Sequence, residues 1–417
     1  MRVTADGCVK KNFERLSGAP YTIDCVFKPA DYDWPADYEG RALLAFCCHC
    51  AVTGEKIPCM DALVNALKDR TNKQGFFGAE YNADIIDEQQ LSGCGWYLRG
   101  LTAYAELFGD KTALEYAKRT VRNLFLPALK FYGGYPVQRG GMQSGGVYGN
   151  QAGTVGNWRL STDVGCAFIA LDGLAHYYAF TKDAALKAPL AAAIEKFMGL
   201  DKLGLKMQTH ATLTAARGIL KFFQSTGENK YLGYVKDIFD LYVKHGMTLT
   251  YENFNWFGRP DTWTEPCAVV DSLILAAELY KITKDAAYKK IARRVWFNGL
   301  QFCQRHNGGA GPNSCVTESQ PFLTVAMYEA VQCCTMRYAE GLLCYHNNKG
   351  LFKNEGGAIV KEGSRYFLGD YLLAEDAGGT FSGEKTFSAD GRALIKIPSL
   401  NSVPAERAQT ARLKIAF

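Results

Sequence analysis

The sequence predicts a mostly α-helical fold, an (α/α)6 barrel, followed by a partial β-sandwich region. Amphipathic runs with helical periodicity recur along residues 37–348 and are joined in pairs by short polar turns. Three of these turns are Phe108-Gly109-Asp110, Thr226-Gly227-Glu228 and Thr283-Lys284-Asp285. A glycine or a small polar residue ends the first helix of a pair, and an acidic residue then favours the start of the next helix.

The distribution of charge favours a closed ring over an open solenoid, which paired helices also form. In a closed ring, the first helix of each pair lines the interior and is therefore the more apolar of the two. The first runs are poor in charge, at residues 92–107, 164–180, 213–224 and 268–280. Their partners carry Lys and Arg, as in 114–124 and 288–297. We therefore place the barrel domain at residues 37–348.

The first 36 residues differ from the barrel. They carry prolines at positions 20, 29 and 35, so we predict an irregular N-terminal arm over residues 1–36. Residues 1–10 lack the apolar core of a secretory signal, and no apolar run is long enough to span a membrane. The 14 cysteines include adjacent pairs, which favours reduced thiols over a disulfide framework. These features predict a cytoplasmic protein.

The C-terminal region, residues 349–417, is predicted to be β-rich. Its segments 351–360, 366–373 and 393–397 alternate or are rich in β-branched and aromatic residues. Asp390-Gly391 is a hairpin turn signal. The region is too short to close a full sandwich, so we expect a form shortened at its C-terminus.

The composition predicts neither a nucleic-acid partner nor a membrane partner. The net charge of +5 is spread along the chain, without a block of Lys or Arg. Aromatic residues make up 13% of the chain, which suits a cleft that stacks on a ligand and equally a tightly packed helical core. A homo-oligomer is compatible with this composition.

Two short segments combine three thiols with one carboxylate, namely Glu265-Pro266-Cys267 and Cys333-Cys334. Zinc takes four ligands of this kind in tetrahedral, sulfur-rich sites. Each segment lies where a helical pattern starts, and the free N–H groups and positive dipole end of a helix start favour thiolate over thiol. Packing of these cysteines as small hydrophobic residues is the alternative that the residues alone leave open.

Two other segments are rich in cysteine or glycine but are not predicted to be catalytic or cofactor-binding sites. Cys47-Cys48-His49-Cys50 lies in the middle of the helical run 41–52, and only Cys47 and Cys50 share a face, so we assign it to the core. The glycine-rich segment 139–156 is too irregular for a dinucleotide-binding fingerprint. It predicts either a surface loop or a flexible lip over a cleft.

An aromatic and acidic segment, residues 248–263, precedes Glu265 and contains Glu252, Trp256 and Asp261. Indole rings beside carboxylates are common in sugar-binding sites. In a ring of helix pairs, the loops that lead into the inner helices share one end of the ring. We therefore expect this segment to lie close to the thiol segments.

Further candidate side chains come from other inner helices. His210 starts the helical run 211–223 and is expected at the same end of the ring. Trp96 and Arg99 lie one turn apart at the predicted start of another inner helix. Both are candidates for substrate contacts, and packing in the core is the alternative.

Together these residues resemble the zinc-thiolate β-L-arabinofuranosidases, glycoside hydrolase family 127 and its relatives. The resemblance extends over residues 38–400 and rests on Glu265-x-Cys267, the carboxylate-bearing aromatic segment before it, and Cys333-Cys334. Segments 297–300 and 395–398 also resemble parts of that family. The resemblance implies an (α/α)6 barrel paired with β-sandwich regions.

The resemblance also implies chemistry. It implies a zinc ion bound by Glu265, Cys267, Cys333 and Cys334. Cys333 would be the nucleophile, Glu252 the general acid/base, and His210 a contact of the sugar. The implied reaction releases terminal L-arabinofuranose, or a similar furanose, from oligosaccharides or plant-type glycans with retention of configuration through a thioglycosyl intermediate.

The departures from the family pattern leave alternatives open. The spacing before Glu265 allows Asp261 as the acid/base instead of Glu252, and Trp96 stands where that family commonly has a histidine. A closed four-ligand zinc is also typical of structural sites, so a non-catalytic carbohydrate-binding barrel with a structural zinc is the second interpretation. A sugar epimerase or lyase would need histidine bases, and of the six histidines only His210 is well placed.

Overall fold

Helices make up most of the computed structural model, which describes residues 5–27, 34–142, 144–145, 151–315, 326–353, 359–363, 365–375, 385–387 and 393–395. In chain order, the α-helices are α1 (Ala5–Leu16), α2 (Ile23–Val26), α3 (Asp37–Thr53), α4 (Met60–Asn65), α5 (Leu67–Arg70), α6 (Glu88–Phe108), α7 (Lys111–Thr120), α8 (Leu126–Leu129), α9 (Ala170–Thr181), α10 (Ala184–Met198), α11 (Thr209–Thr226), α12 (Asn229–His245), α13 (Pro266–Thr283), α14 (Ala286–Arg294), α15 (Gln301–Cys303) and α16 (Cys334–Asn347). Tighter or wider helical turns join several of them, at Val121–Phe125, Tyr132–Gly134, Cys166–Ile169 and Val295–Leu300.

An inner ring of helices closes on itself. Helix α3 packs against α6, α6 against α9, α9 against α11, α11 against α13, α13 against α16, and α16 against α3. Outer helices α4, α7, α10, α12 and α14 each follow an inner helix and pack against it. This circuit confirms the predicted (α/α)6 barrel and excludes the open solenoid. In the described part of the chain, no helix is both long enough and apolar enough to cross a membrane.

Helix α1 contradicts the prediction that residues 1–36 are irregular. Cys8, Asn12 and Leu16 are buried at a spacing of four residues, which is the periodicity of a helix face. Helix α1 packs against α16 and α3, and so takes an outer position beside α16. The amide of Asn12 donates to the carbonyl oxygen of Thr335 (3.2 Å) and lies 2.8 Å from Nε2 of His49. These long-range contacts supply the stabilisation that the short N-terminal sequence lacks by itself.

The Cys47–Cys50 cluster lies within α3, as the sequence predicts. Cys47 and Cys48 are buried in the hydrophobic core, and Cys50 is half-buried. His49 is also buried, and burial lowers the pKa of its imidazole to about 4. The core interpretation of this cluster is therefore confirmed.

The inner helices approach each other closely at glycines. A Cβ atom on Gly173 of α9 would lie 2.3 Å from the carbonyl oxygen of Gly95 in α6, and one on Gly95 would lie 2.7 Å from the Cα of Ala170. Backbone atoms of packed helices cannot move away easily, so only glycine fits at this crossing. The small interhelical distance keeps α6 and α9 in the ring.

A small sheet lies at the end of the ring where α6 begins. Strand β1 (Ile86–Asp87) pairs in parallel with β3 (Trp158–Ser161), which pairs antiparallel with β2 (Gln151–Val155). The glycine-rich segment predicted as a loop thus includes a strand at its C-terminal end. Residues 143 and 146–150 of that segment lie outside the described residues.

The C-terminal region is β-rich, as predicted. A three-stranded antiparallel sheet contains β4 (Ile359–Glu362), β5 (Arg365–Leu368) and β6 (Tyr371–Glu375). A separate two-stranded ladder pairs β7 (Lys385–Phe387) with β8 (Ala393–Ile395). The predicted strand 366–373 is in fact two strands, because Gly369 adopts a φ of +58° and turns the chain between them. Asp390-Gly391 lies outside the described residues.

The three-stranded sheet docks on the helical turn Val295–Leu300. The Asn298 amide donates to the Asp370 carbonyl oxygen (2.8 Å), and its oxygen accepts the Leu372 backbone N–H (2.7 Å). Arg294 pairs with Glu362 (2.7 Å), and the rings of Phe297 and Tyr371 pack with centres 4.8 Å apart. The segment that the sequence analysis singled out at 297–300 therefore joins the barrel to the sheet.

Adding one methyl group at the tightest crossing should destabilise the barrel. We expect Gly173→Ala to lower the free energy of unfolding by about 1–3 kcal/mol, because the new Cβ overlaps the α6 backbone. Urea denaturation followed by circular dichroism measures this change.

Gly233→Ala is the matched control. Gly233 is exposed within α12, and a Cβ there meets nothing within 4 Å. Higher helix propensity should make this variant more stable by about 0.5–1 kcal/mol. Equal effects of the two substitutions would contradict the close packing described for α6 and α9.

Candidate metal centre

The N-terminal ends of two neighbouring inner helices meet at the thiol segments. Glu265 is the N-cap of α13, and Pro266 follows as its first residue, where a missing N–H is tolerated. Cys333 is the N-cap of α16, and Cys334 is its first residue. Both helices therefore direct the positive end of their dipole and free N–H groups toward the same place. The prediction that each segment lies at a helix start is confirmed.

Four side chains converge in a geometry that fits a metal ion. The candidate ligand atoms of Glu265, Cys267, Cys333 and Cys334 all lie within 4.8 Å of one another. The Sγ atom of Cys334 is 3.6 Å from that of Cys267 and 3.3 Å from that of Cys333. A tetrahedron with Zn–S bonds of 2.3 Å has edges of about 3.8 Å, close to these separations. The four residues can hold a metal ion, and their sulfur-rich composition suits zinc.

The four candidate ligand residues differ in their exposure to solvent. Cys267 and Cys334 are fully buried, whereas Cys333 and Glu265 are only half-buried. A sulfur that takes part in a reaction must be reached by a substrate, and Cys333 is the most accessible of the three thiols.

The carboxylate of Glu265 is held in place by amide side chains. Gln208 donates to its Oε2 (3.4 Å). With its amide nitrogen turned toward Glu265, Asn255 also donates to Oε2 (2.6 Å) and accepts from Trp263 Nε1 (3.2 Å). The Glu265 backbone N–H donates to Asn253 Oδ1 (3.0 Å). These residues orient the carboxylate as the outer shell of a metal site commonly does.

Without a cation, the cluster cannot carry four negative charges. Burial, and then the proximity of Cys267, raise the pKa of Glu265 well above its usual range. Burial raises the pKa of Cys267 to about 11 and that of Cys334 well above its normal value. The pKa of Cys333 is lowered because Cys267 and Cys334 donate to its sulfur and Arg41 lies nearby. Three thiolates and a carboxylate would need a divalent cation to coexist here.

Arg41 is a contact of this cluster that the sequence analysis missed. Its Nη1 lies 3.6 Å from Cys267 Sγ, and its Nε donates to both carboxylate oxygens of Asp37 at 2.9 Å. The guanidinium carbon lies 4.3 Å from the centre of the Trp96 ring. The i,i+4 pair of Asp37 and Arg41 was visible in the sequence, but its partner in α13 was not.

His210 and Trp96 lie beside the cluster. The two rings stack with centres 5.9 Å apart, and both residues are buried. His210 Nδ1 lies 2.8 Å from Asp271 Oδ2, and burial lowers the pKa of the imidazole. Trp96 was predicted at the start of an inner helix. Helix α6 instead begins at Glu88, so Trp96 lies in its third turn. The roles of His210 and Trp96 in sugar binding remain predictions.

A buried charge network lies behind His210. Asp271 accepts from Arg217 (2.7 Å), Thr214 (2.7 Å) and Arg337. Burial alone would raise the pKa of Asp271, but the charges of Arg337 and Arg217 and the bond from His210 hold it well below its usual range. This network fixes the inner helices α11, α13 and α16 against one another.

Arg99 lies away from the cluster. Its Nε is 3.5 Å from Asp172 Oδ2, and it lines a cavity of about 350 Å³ with His176 and Lys221. It lies one turn beyond Trp96, in the C-terminal half of α6. The structure therefore does not bring Arg99 together with the thiols, and its contact with substrate stays a prediction.

Glu252 is buried with both oxygens already bonded. Its Oε1 accepts from Thr264 (3.3 Å) and Asn313, and its Oε2 accepts from Thr250 (2.8 Å). These bonds join the aromatic segment to the loops before α13 and α16. Its predicted role as acid/base remains a prediction. The alternative, Asp261, is exposed and pairs with Arg259 at 2.9 Å, a hydrogen bond that lowers the pKa of its carboxyl.

Trp256 lies on the same side of the site as Glu265. Its backbone forms a β-bridge with Gln208, the donor to Glu265, and its ring packs edge-on against Trp263 at 5.7 Å. Gly145 of the glycine-rich segment lies against this indole, at a distance where an added Cβ would be 2.9 Å from the ring. The described part of that segment therefore covers an aromatic wall of the site.

Asp163 is a second residue that the sequence analysis missed. It lies just before Cys166–Ile169, is 7% exposed, and neighbours the backbone bond from Gln208 to Val164 (3.0 Å). The polar Ser-Thr-Asp run before an apolar helical stretch was the signal that could have identified it.

Solved structures of carbohydrate-active proteins share this fold at low identity. A glycoside hydrolase family 127 β-L-arabinofuranosidase from Geobacillus stearothermophilus T6 matches with a TM-score of 0.52 and 12% identity, over 95% of this chain and 65% of that chain. Another family 127 β-arabinofuranosidase matches with a TM-score of 0.51 and 13% identity, over 82% of this chain and 56% of that chain. A D-mannose isomerase matches with a TM-score of 0.56 and 15% identity, over 83% of this chain and 97% of that chain.

At such identities the comparisons show the (α/α)6 barrel and nothing more specific. The chain spans little more than half the length (56%) of one arabinofuranosidase that it matches. No protein-family model matches the sequence, and no significant match is found among curated proteins.

The four ligands should bind zinc. We expect the purified protein to contain about one zinc per chain, and Cys334→Ser to lose it because three ligands hold the ion less tightly than four. Elemental analysis after gel filtration measures the metal, and Cys50→Ser, a thiol outside the cluster on α3, should retain it. A wild-type protein of intact fold that takes up no zinc would show that the cluster is not a zinc site.

Proposed function

We propose that the protein is a retaining glycoside hydrolase that releases terminal L-arabinofuranose, or a similar furanose, from plant-type glycans. The observation that supports this proposal is that Cys333 is half-buried in the Cys3Glu cluster, whereas the other two thiols, Cys267 and Cys334, are buried. A site with only a structural metal would gain nothing from an accessible ligand sulfur.

The residues present have the chemistry for such a reaction. A bound zinc ion would keep the ligand thiols deprotonated at neutral pH. The Cys333 thiolate then attacks the anomeric carbon as the bond to the leaving oxygen breaks, which forms a thioglycosyl bond to Cys333. Attack by water on the same carbon breaks the C–S bond and restores the thiolate, and two inversions give net retention.

The surroundings suit a sugar. Trp263 is half-buried near Glu265 and packs edge-on against Trp256, which is 2% exposed. Apolar sugar faces stack on partly exposed aromatic rings such as that of Trp263. Cytoplasmic localisation and an oligosaccharide substrate are part of this proposal.

A non-catalytic carbohydrate-binding barrel with a structural zinc is the second candidate. One observation favours it. Trp96 is 1% exposed and fills the space between Arg41, Arg337 and His210 beside the cluster. A filled interior leaves less room for a sugar ring next to the thiols.

Hydrolysis of a chromogenic β-L-arabinofuranoside tests the proposal. We expect turnover by wild type, and a loss of at least about 10³-fold for Cys333→Ser, because a hydroxyl is a much poorer nucleophile than a thiolate. Cys50→Ser should retain full activity, since this thiol lies outside the site. NMR of the first-formed product should show the retained β anomer.

A haloacetamide-type arabinofuranosyl inhibitor gives a second measurement. Peptide mapping should find the label on Cys333 and not on Cys267 or Cys334, which are more deeply buried. A zinc-loaded, folded protein that is inert toward furanosides, yet binds sugar equally well with and without Cys333→Ser, would support the non-catalytic candidate instead.

A further inference from the structure

A buried carboxylate with one unbonded oxygen lies at the same end of the ring as the Cys3Glu cluster. Asp163 is 7% exposed, and its Oδ1 accepts no hydrogen bond from the described residues. The indole N–H of Trp256 lies near this carboxylate and lowers its pKa as a hydrogen-bond donor does, although it is not aligned for a full hydrogen bond to Oδ1. A buried carboxylate oxygen without a hydrogen-bond donor is costly unless something else bonds to it.

The position of Asp163 connects it to the ligand Glu265. The next residue, Val164, accepts the backbone N–H of Gln208 (3.0 Å), and the Gln208 side chain donates to Glu265 (3.4 Å). Trp256 forms a β-bridge with the same Gln208. Gln208 therefore links the segments that carry Asp163, Trp256 and Glu265. It lies at the end of the ring where α13 begins.

The carboxylate of Glu252, unlike that of Asp163, has hydrogen-bond donors on both oxygens. Its two oxygens accept from three side-chain donors, on Thr250, Thr264 and Asn313, and it is fully buried. A carboxyl group that transfers protons to a substrate needs an oxygen free to reach the reacting atoms. Glu252 has the contacts of a structural brace between loops, whereas Asp163 has the free oxygen.

We propose that Asp163, and not Glu252, is the proton-transfer residue of the reaction proposed above, and this inference rests on that proposed function. Protonated Asp163 gives its proton to the leaving oxygen as the anomeric C–O bond breaks and the bond to Cys333 forms. The resulting carboxylate takes a proton from water, whose oxygen attacks the anomeric carbon as the C–S bond breaks. Each proton that leaves Asp163 is thereby returned to it.

The electrostatic surroundings suit this role. Burial, and then the negative charge of Glu88, raise the pKa of Asp163 to about 7, although the indole N–H of Trp256 acts in the opposite direction. The other charged groups that face it are Asp37 of α3 and Glu265 at the start of α13, while Arg139 pairs with Glu88 (3.1 Å). A carboxyl that titrates near neutrality serves as acid in one step and as base in the next.

Asp163→Asn tests the assignment in the zinc-loaded, full-length protein. We expect a loss of about 10²–10⁴-fold on an alkyl arabinofuranoside, whose leaving group needs protonation, and a much smaller loss in the first step with a dinitrophenyl leaving group. Added azide should restore turnover, because it attacks the thioglycosyl bond without needing a base. Wild-type activity should fall as the pH rises above about 7, and this limb should vanish in Asp163→Asn.

Two further variants are compared with Asp163→Asn in the same assays. Glu252→Gln should lower thermal stability but show neither the dependence on leaving group nor rescue by azide. Asp237→Asn removes an exposed carboxylate on outer helix α12 and should match wild type in every assay. The assignment is overturned if Glu252→Gln shows azide rescue and Asp163→Asn does not.

An infrared titration separates this inference from the proposed function. The difference spectrum between wild type and Asp163→Asn should contain the carbonyl band of a protonated carboxyl that disappears as the pH rises through neutrality. If wild type hydrolyses no furanoside, the proposed function fails, and the infrared result alone decides whether Asp163 carries a proton. An Asp163 ionised throughout the neutral range would overturn the inference even in an active enzyme.

Discussion

The register between helices α13 and α16 is the constraint on which the site depends. Both helices start at the same level of the inner ring, so that their caps, Glu265 and Cys333, face each other. A slip of one helical turn, about 5.4 Å, would separate the ligand atoms by more than the 4.8 Å that now contains them. Closure of the six-membered ring prevents that slip, because α13 and α16 each pack against a second inner helix as well.

Helix α1 and the C-terminal sheet stabilise the register of α13 and α16. Helix α1 reaches α16 through the bond from Asn12 to Thr335, the residue after Cys334. The C-terminal sheet holds the turn Val295–Leu300 through Asn298, and that turn packs against α13. The terminal regions thus act on the two helices that carry the thiols, although neither supplies a ligand.

Charge balance explains why so many ionisable groups are buried here. A divalent ion bound to three thiolates and a carboxylate would have a net charge of minus two, and the buried cation Arg41 contacts Cys267. In the charge network behind His210, the carboxylates of Asp271 and Glu340 form salt bridges with Arg217 and Arg337. Buried charges are tolerated when each has a partner, and unpaired ones would be costly. Asp163 departs from this pattern, since its free oxygen has no such partner among the described residues.

The sequence by itself determined the helix pairs, the charge-poor inner faces and the thiol quartet, because periodicity, turn residues and helix starts are local signals. Only the tertiary structure showed that α1 belongs to the barrel, that Glu252 is already bonded, and that Arg99 lies apart from the thiols. Arg41 and Cys267 are separated by 226 residues, and no local pattern connects them. Such partnerships arise when the ring closes, since closure decides which buried polar groups find partners and which stay free to bind something else.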